Sequence, residues 1–361
     1  MNQISKTVFI HSLNNFTGSS NVLSVIIKEF IVKSYDLELI TSKGGGFLSD
    51  LKDVKSHYTC YRWSENKFLT LCLFLISQLE VFFRVLFSSK RNTLYYINTI
   101  VPFGAALACW LTKKHYVYHV HENMQMRKPI YRIFRYVYKL CNKKSIFVSN
   151  YLQGTALNCN DGIVIYNSLN TDFVTEVENY QLKPIQENRT TILMVASLRR
   201  FKGVYEFVEL AKRMPKYQFE LVVNATEKEV DNFISEIGNI ENLNIYSTQT
   251  NLHPFYQQAK LLLQLSHPEL WIETFGLTIL EAMVYGIPAI VPNVGGPVEL
   301  VEDGINGYTI NPHDLDLIAS KITELIQDEN LYEHFSEAAL RKSKMFSESK
   351  MIDSIEQYIT C

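Results

Sequence analysis

The sequence predicts an α/β protein built from two doubly wound domains in series. Three observations carry that expectation. The chain has 361 residues, more than one hydrophobic core usually organises, so two domains of ordinary size are expected. Short β-like runs alternate with longer helical patterns almost throughout, the pattern of parallel strands joined by crossover helices. The charge is also divided. Residues 1–170 hold 20 basic and 9 acidic side chains and residues 171–361 hold 15 and 28, although the whole chain carries only −2. Such an asymmetry points to two domains that meet different partners. Apolar residues at 47% and charged residues at 20% are close to the globular average and exclude disorder or a fibrous repeat.

The elements follow in order. Thr7 to His11 and Leu37 to Thr41 read as strands, as do Thr93 to Asn98, Tyr116 to His121, Ser145 to Ser149 and Gly162 to Tyr166. Helical patterns over Asn21 to Val32, Phe103 to Leu111 and Pro129 to Leu140 lie between them. Phe68 to Phe87 is 20 residues with 15 apolar, interrupted by Gln78, Glu80 and Arg84. The charges argue for a buried or interfacial helix over a membrane span. The polar stretch Val177 to Thr190 suggests a linker, placed at 171–189. A second block then alternates through Thr191 to Ala196, Phe219 to Val223, Asn244 to Tyr246, Leu261 to Leu265 and Ala289 to Val291. The expected domains are therefore 1–170 and 190–344, with a helix at about 345–361 packing back onto the first. Doubly wound sheets bind ligands at the carboxyl ends of their strands, which predicts a central cleft faced by both domains.

Six cysteines, Cys60, Cys72, Cys109, Cys141, Cys159 and Cys361, form no CxxC pair and are too sparse for a disulfide scaffold. Reduced thiols in a cytoplasm are expected. The N-terminal MNQISKTVFIHS enters a strand-like run at once, without the regions of a signal peptide.

Chemistry concentrates in Glu273 to Glu281, ETFGLTILE. Two carboxylates eight residues apart bracket Gly276 ahead of a helical run. A helix starting near Phe275 would present the N–H groups of Phe275, Gly276 and Leu277 and its positive dipole end to a diphosphate. Carboxylates beside such a site suit sugar hydroxyls, although a solvated Glu281 and a first-turn Glu273 explain the residues equally well. Upstream, Ser197-Leu198-Arg199-Arg200-Phe201-Lys202-Gly203 follows a strand and opens a helix, placing three cations at a phosphate-binding turn. Downstream lie the turns Val294-Gly295-Gly296-Pro297-Val298-Glu299 and Asp303-Gly304-Ile305-Asn306-Gly307.

With these motifs, and Ile165-Tyr166-Asn167-Ser168 before the linker, the sequence resembles glycosyltransferase family 4, of the bacterial surface-polysaccharide type. The resemblance is strong over about 160–310 and weaker before it. It implies a GT-B fold and a retaining transfer from a nucleotide-diphosphate sugar. It further implies that Glu273 holds the donor sugar, that Glu281 holds the ribose, and that Lys202 lies at the diphosphate. The family usually has Arg five residues before that Lys, where this chain has Ser197. Arg199 or Arg200 is expected to replace the missing charge.

In the first domain, Phe16-Thr17-Gly18-Ser19-Ser20-Asn21 resembles the acceptor-side loop of these enzymes, with Gly18 near a helix N-terminus, and a plain strand-to-helix turn reads equally well. Strand alternation puts His119 and His121 on one face. The resemblance implies a His facing the reacting sugar, matched to His121 with His119 as alternate. Two such histidines also suit a metal, but no third ligand is placed by spacing. No metal or other cofactor is expected, the helix N-terminus and Lys202 serving the diphosphate. Lys43-Gly44-Gly45-Gly46 lacks a phosphate-loop register and reads as a flexible loop.

Arg127 to Lys144 holds seven cations, Arg127, Lys128, Arg132, Arg135, Lys139, Lys143 and Lys144, among aromatic and aliphatic residues and without an acid. That mixture suits an anionic membrane surface; no nucleic-acid motif accompanies it. The expected protein is a cytoplasmic hexosyltransferase, peripheral on the inner face of the plasma membrane. Its expected acceptor is a lipid-linked saccharide in lipopolysaccharide, O-antigen or capsule synthesis. The alternatives are an epimerase or phosphorylase on the same fold, and a non-catalytic nucleotide-sugar-binding subunit.

Overall fold

The computed structural model describes residues 4–33, 35–49, 51–88, 92–125, 129–156, 162–181 and 190–360. Two compact units result, one of Met1–Asn167 with Ser349–Cys361 and one of Ser168–Glu348.

The first unit contains β1 (Lys6–Ile10), α1 (Gly18–Val32), β2 (Asp36–Ser42), β3 (Lys55–Thr59), α2 (Lys67–Phe87), β4 (Thr93–Asn98) and α3 (Phe103–Thr112). It continues through β5 (His115–Val120), α4 (Pro129–Cys141), β6 (Ser145–Phe147), α5 (Asn150–Thr155) and β7 (Gly162–Val164). Its seven strands are all parallel and ordered β3-β2-β1-β4-β5-β6-β7. The chain starts in the middle, builds one flank, returns to β4 and builds the other, so the switch point lies between β1 and β4. All of β4 is buried, as expected of a parallel strand covered by helices on both faces.

Helix α2 packs on α3 so closely that a Cβ on Gly104 would lie 2.1 Å from Gln78 O. Phe74, Ser77, Gln78, Val81 and Val85 are buried, whereas Phe68, Leu71, Leu75, Leu79, Phe83 and Phe87 face outward. The helix is thus half of what the sequence allowed: one face buried, one exposed, with length and apolarity enough to cross a bilayer. Both ends are fixed. Asn66 accepts Phe68 N–H at 3.0 Å and Leu69 N–H at 3.2 Å. At the other end the buried Lys114 ammonium donates to Val85 O, to Ser88 O at 3.0 Å and to Ser88 Oγ at 2.9 Å, placing a cation where the helix dipole is negative.

The Gly44–Gly46 segment, expected to be a flexible loop, is instead held by its neighbours. Asn14 Nδ2 donates to Gly44 O at 3.0 Å and Asn14 Oδ1 accepts Leu48 N–H at 3.1 Å.

The second unit begins with α6 (Thr171–Gln181) and β8 (Thr191–Ser197), then a 3₁₀ turn, Arg200–Lys202. There follow α7 (Val204–Arg213), β9 (Gln218–Asn224), α8 (Glu227–Ile237), β10 (Leu243–Tyr246), α9 (His253–Gln258) and β11 (Ala259–Leu263). Next come α10 (Leu277–Val284), β12 (Ala289–Val291), α11 (Pro297–Leu300), β13 (Gly307–Thr309), α12 (Leu315–Gln327) and α13 (Glu329–Ser343). Its parallel sheet is ordered β10-β9-β8-β11-β12-β13 and switches between β8 and β11. The core under it joins Ile192, Phe207, Leu210, Phe219, Leu261 and Ile318.

Residues 171–181, read as the start of a linker, form α6. Phe173 stacks on His253 with ring centroids 4.3 Å apart, and His253 lies 5.0 Å from the Tyr180 ring. These contacts fasten the helix to α9. The remainder of that stretch, with Lys183, Pro184, Gln186, Glu187, Asn188 and Arg189, lies outside the described residues, as do Cys159, Cys361, Arg127 and Lys128. Cys60, Cys72, Cys109 and Cys141 are free thiols.

The chain ends in α14 (Glu348–Thr360), whose residues from Ser349 belong to the first unit. Glu356 accepts Lys33 Nζ at 2.6 Å, and the Tyr358 hydroxyl accepts Ser145 N–H at 3.0 Å.

Candidate active site

Each switch point gathers a polar cluster. In the second unit the chain leaves β8, makes the 3₁₀ turn and enters α7 through Gly203, whose φ of +82° brings the backbone against Leu265 just beyond β11. A Cβ there would lie 2.2 Å from Leu265 O. This approach carries Lys202 to the segment after β11. Its ammonium meets Glu273 Oε2 at 2.6 Å, the side chains being 18% and 22% exposed. The same ammonium lies 5.3 Å from the centre of the Trp271 ring, which stacks on Phe201 at 5.5 Å. The Trp271 Nε1 is buried and has no hydrogen-bond partner among the described residues.

Glu273 is held by a turn from the next strand connection. Gly296 N–H donates to Glu273 O at 2.9 Å, and a Cβ on Gly296 would lie 2.2 Å from Thr274 O. Glycine is required for this close backbone approach.

The sequence placed the following helix start at Phe275, but α10 begins at Leu277. Gly276 takes φ +108° as its N-cap, a conformation no helical residue adopts. The N–H groups at the helix start are consequently those of Leu277 and Thr278, because Ile279 and Leu280 already donate to Gly276 O. Phe275 is a core residue, 2% exposed and edge-on to Phe346. Glu281 is neither solvated nor exposed: it is 8% exposed and accepts the Tyr256 hydroxyl at 2.5 Å. Burial raises its pKa, and the hydroxyl opposes that shift.

The two arginines do not join this cluster. Arg200 lies over the Tyr205 ring at 4.9 Å, and Arg199 is exposed. Ser197 ends β8.

In the first unit, β1 and β4 end side by side, and the residues just beyond them meet those of β5. Asn98, fully buried, links two histidines: Nδ2 donates to His11 Nδ1 at 3.0 Å, and Oδ1 accepts His121 Nε2–H at 3.1 Å. The His11 proton is then on Nε2, 3.0 Å from Ser20 Oγ. His119 and His121 share a face as strand alternation predicted, with ring centroids 4.2 Å apart. They differ in access. His119 is 1% exposed and paired with the Tyr96 hydroxyl at 2.8 Å, whereas His121 at the strand end is partly exposed. Burial pushes His11 down to about 4 and His119 down to about 3, and it holds His121 well below the ordinary histidine range, with His119 and His11 adding to that. All three rings are neutral at pH 7. Burial pushes Glu122, beside His121, up to about 7 against the hydrogen bond it accepts from Ile100 N–H. Gly18 is exposed and is the first residue of α1.

Residues 178–342 match the family model described as glycosyl transferases group 1. Over its whole length the chain is similar in structure to Anabaena HepE solved with UDP and glucose, with TM-score 0.77, 19% identity, and 99% of each chain covered. The fold is GT-B. Among curated proteins the chain is 25% identical over 203 residues to N-acetyl-alpha-D-glucosaminyl L-malate synthase of Bacillus anthracis, covering 54% of this chain and 52% of that one. It is also 25% identical to an uncharacterized 41.2 kDa protein in the cps region of Klebsiella pneumoniae, covering 65% and 66%. The chain spans about half to two thirds of the length of these relatives.

Each half of the GT-B fold therefore carries its own cluster. Lys202 and Glu273, 71 residues apart, are brought together, with Gly276 and Leu277 following on the same segment. His121 stands in the other half with two residues the sequence did not single out, His11 and Asn98. Their signal was present only as polar residues ending two strands; their meeting depends on β1 and β4 being neighbours. Trp271, Tyr256 and Gly296 are further members of the second-unit cluster that motif reading did not assign a role.

Proposed function

We propose that the protein is a retaining hexosyltransferase. It takes a nucleotide-diphosphate sugar, a UDP-sugar first among them, and passes the sugar to a lipid-linked saccharide in surface-polysaccharide synthesis. The observation that carries the reading is the Lys202–Glu273 pair at 2.6 Å beside the start of α10, at the carboxyl end of a sheet at its switch point, where such folds bind nucleotides. Leaving diphosphate gains negative charge in the transition state, and a fixed ammonium with helix N-terminal N–H groups stabilises that charge without Mg²⁺. In this reading Glu273 holds the donor sugar, Glu281 the ribose, and neutral His121, its Nε2–H donated to Asn98 Oδ1, faces the reacting sugar or the incoming acceptor. The UDP with which HepE was solved supports the donor class, and the cps-region relative supports the pathway class.

Membrane docking belongs to the same reading. The outward row of α2, Phe68, Leu71, Leu75, Leu79, Phe83 and Phe87, is exposed. On α4, exposed Ile133, Tyr136 and Leu140 accompany Arg132, Arg135 and Lys139. Apolar rows with cations suit the cytoplasmic face of an anionic membrane, each cation contributing about 1 kcal/mol. Lys144 is engaged with Tyr358 and is not counted among them.

A panel of UDP-, GDP- and dTDP-sugars tests the donor by thermal stabilisation, since ligand at 100 times its dissociation constant adds about 2.7 kcal/mol. Transfer to a lipid-linked acceptor in vesicles, with the anomer read by NMR, tests the reaction. Donor binding with no transfer to any saccharide would instead select the binding-subunit reading, and release of free sugar an epimerase. Equal sedimentation with neutral and anionic vesicles would remove the membrane part.

A further inference from the structure

A second polar cluster lies behind the donor turn. Glu206 on α7, His267 after β11 and His313 after β13 each offer one ligand atom, and these atoms all lie within 4.8 Å of one another. His267 Nε2 is 3.0 Å from Glu206 Oε2, yet among the described residues neither atom makes an aligned hydrogen bond. The His267 side chain is only 8% exposed, so an unsatisfied ring nitrogen there needs a reason. The His313 ring lies 4.6 Å from that of His267, and Glu269 Oε2 sits 3.4 Å from His313 Nε2.

We propose that Glu206, His267 and His313 bind a zinc ion. Two imidazoles and one carboxylate form a donor set that zinc accepts, with bonds of about 2.0–2.2 Å. Tetrahedral bonds of that length set ligand atoms about 3.3 Å apart, close to the 3.0 Å that separates His267 from Glu206. His313, exposed and on a loop, supplies the remaining adjustment, and Glu269 adds a second carboxylate at the rim. A bound ion would give the buried His267 nitrogen the partner it lacks among the described residues. Hard cations such as Mg²⁺ prefer an all-oxygen shell and fit this set poorly.

The ion would join three segments of the second unit and act on the donor turn through the backbone. His267 N–H donates to Phe201 O at 2.9 Å, next to Lys202, and His267 O accepts Trp271 N–H at 2.8 Å. Occupancy would therefore fix the residues that present Lys202 and Trp271, separately from the transfer chemistry itself.

Calorimetric titration of ZnCl₂ into the chelator-treated full chain tests the site. One saturable equivalent is expected, together with a rise in melting temperature. Cobalt(II) in place of zinc should give the intense visible absorption of tetrahedral coordination. His313→Ala removes an exposed ligand and leaves the fold intact, and Glu206→Gln removes a charge at constant shape. Each should weaken binding by more than the roughly tenfold that loss of an outer partner costs, whereas His334→Ala, at an exposed histidine elsewhere, should bind as the unaltered chain does. No saturable uptake, or equal uptake by His313→Ala and Glu206→Gln, would overturn the assignment.

Discussion

A double-mutant cycle on Lys202 and Glu273 tests the centre of the second-unit cluster. The contact is a charge-assisted bond of 2.6 Å between side chains 18% and 22% exposed. Exposed ion pairs couple by about 0.2–1 kcal/mol, and breaking a fully buried pair costs about 3–5 kcal/mol. This pair lies between, which places its coupling at about 1.5–2 kcal/mol. Lys202→Met also gives up the ammonium over Trp271, a contact of about 0.5–1 kcal/mol, so the single change should cost about 2–3 kcal/mol in all. For a unit of this size, each kcal/mol moves the melting temperature by about 2–4 °C, giving a fall of about 4–12 °C by calorimetry. Glu273→Gln should cost less, because only the pair is lost, and the double variant should be milder than the sum by the coupling energy. Activity tests the proposed function separately: under it, Lys202→Met should lower kcat, since the charge on a leaving diphosphate grows in the transition state. Additivity within about 0.3–0.5 kcal/mol would refute the pairing as a solution contact, whatever the kinetics.

Two other expectations rest on packing and protonation. Gly296→Ala forces a Cβ into the Thr274 backbone; it should cost about 1–3 kcal/mol and weaken donor binding, while Gly45→Ala, with open space around it, should be silent in both assays. The first unit should lose stability in acid. His11, His119 and His121 stay neutral when folded, so the unfolded chain binds more protons below about pH 6.5, and their contribution is full above that pH and lost as it falls towards 4. Glu122, raised to about 7, opposes them between about pH 4.5 and 7. Roughly two net protons remain, or nearly 3 kcal/mol per pH unit, measurable by urea unfolding at a series of pH values. A slope unchanged in His11→Asn and His119→Phe would rule out the histidines as its source.

The parallel architecture was legible because its strands are short apolar runs bounded by turn residues. β1, β4 and β8 fall within a residue or two of their predicted limits. Strands β3 and β13 escaped notice for a physical reason: Lys-Ser-His-Tyr-Thr is largely polar, as an edge strand is, and Gly-Tyr-Thr is three residues inside a turn-rich segment. Helix α6 was hidden by composition. Its anchors are Phe173, Val177 and Tyr180, one per turn, in an otherwise polar sequence. At the candidate site, local order was readable and distance was not. The segment Glu273 to Glu281 signalled a helix start with carboxylates, but the left-handed Gly276 that shifts that start, and the Tyr256 hydroxyl that Glu281 accepts, come from tertiary packing. The arginines near Ser197 could be counted in the sequence, while the direction of Arg200 is set by Tyr205 on α7.

The placement of α14 has a consequence for how the chain is made. About 180 residues separate Asn167 from Ser349, where the first unit resumes, and ribosomes add roughly 5–20 residues per second. For some ten to forty seconds the nascent first unit has its seven strands but lacks its last helix. During that interval the Lys33 ammonium waits for Glu356, and the Ser145 amide waits for the Tyr358 hydroxyl. A chaperone that shelters this open edge, or a stalled ribosome that prolongs it, would act on the first unit and leave folding of the second untouched.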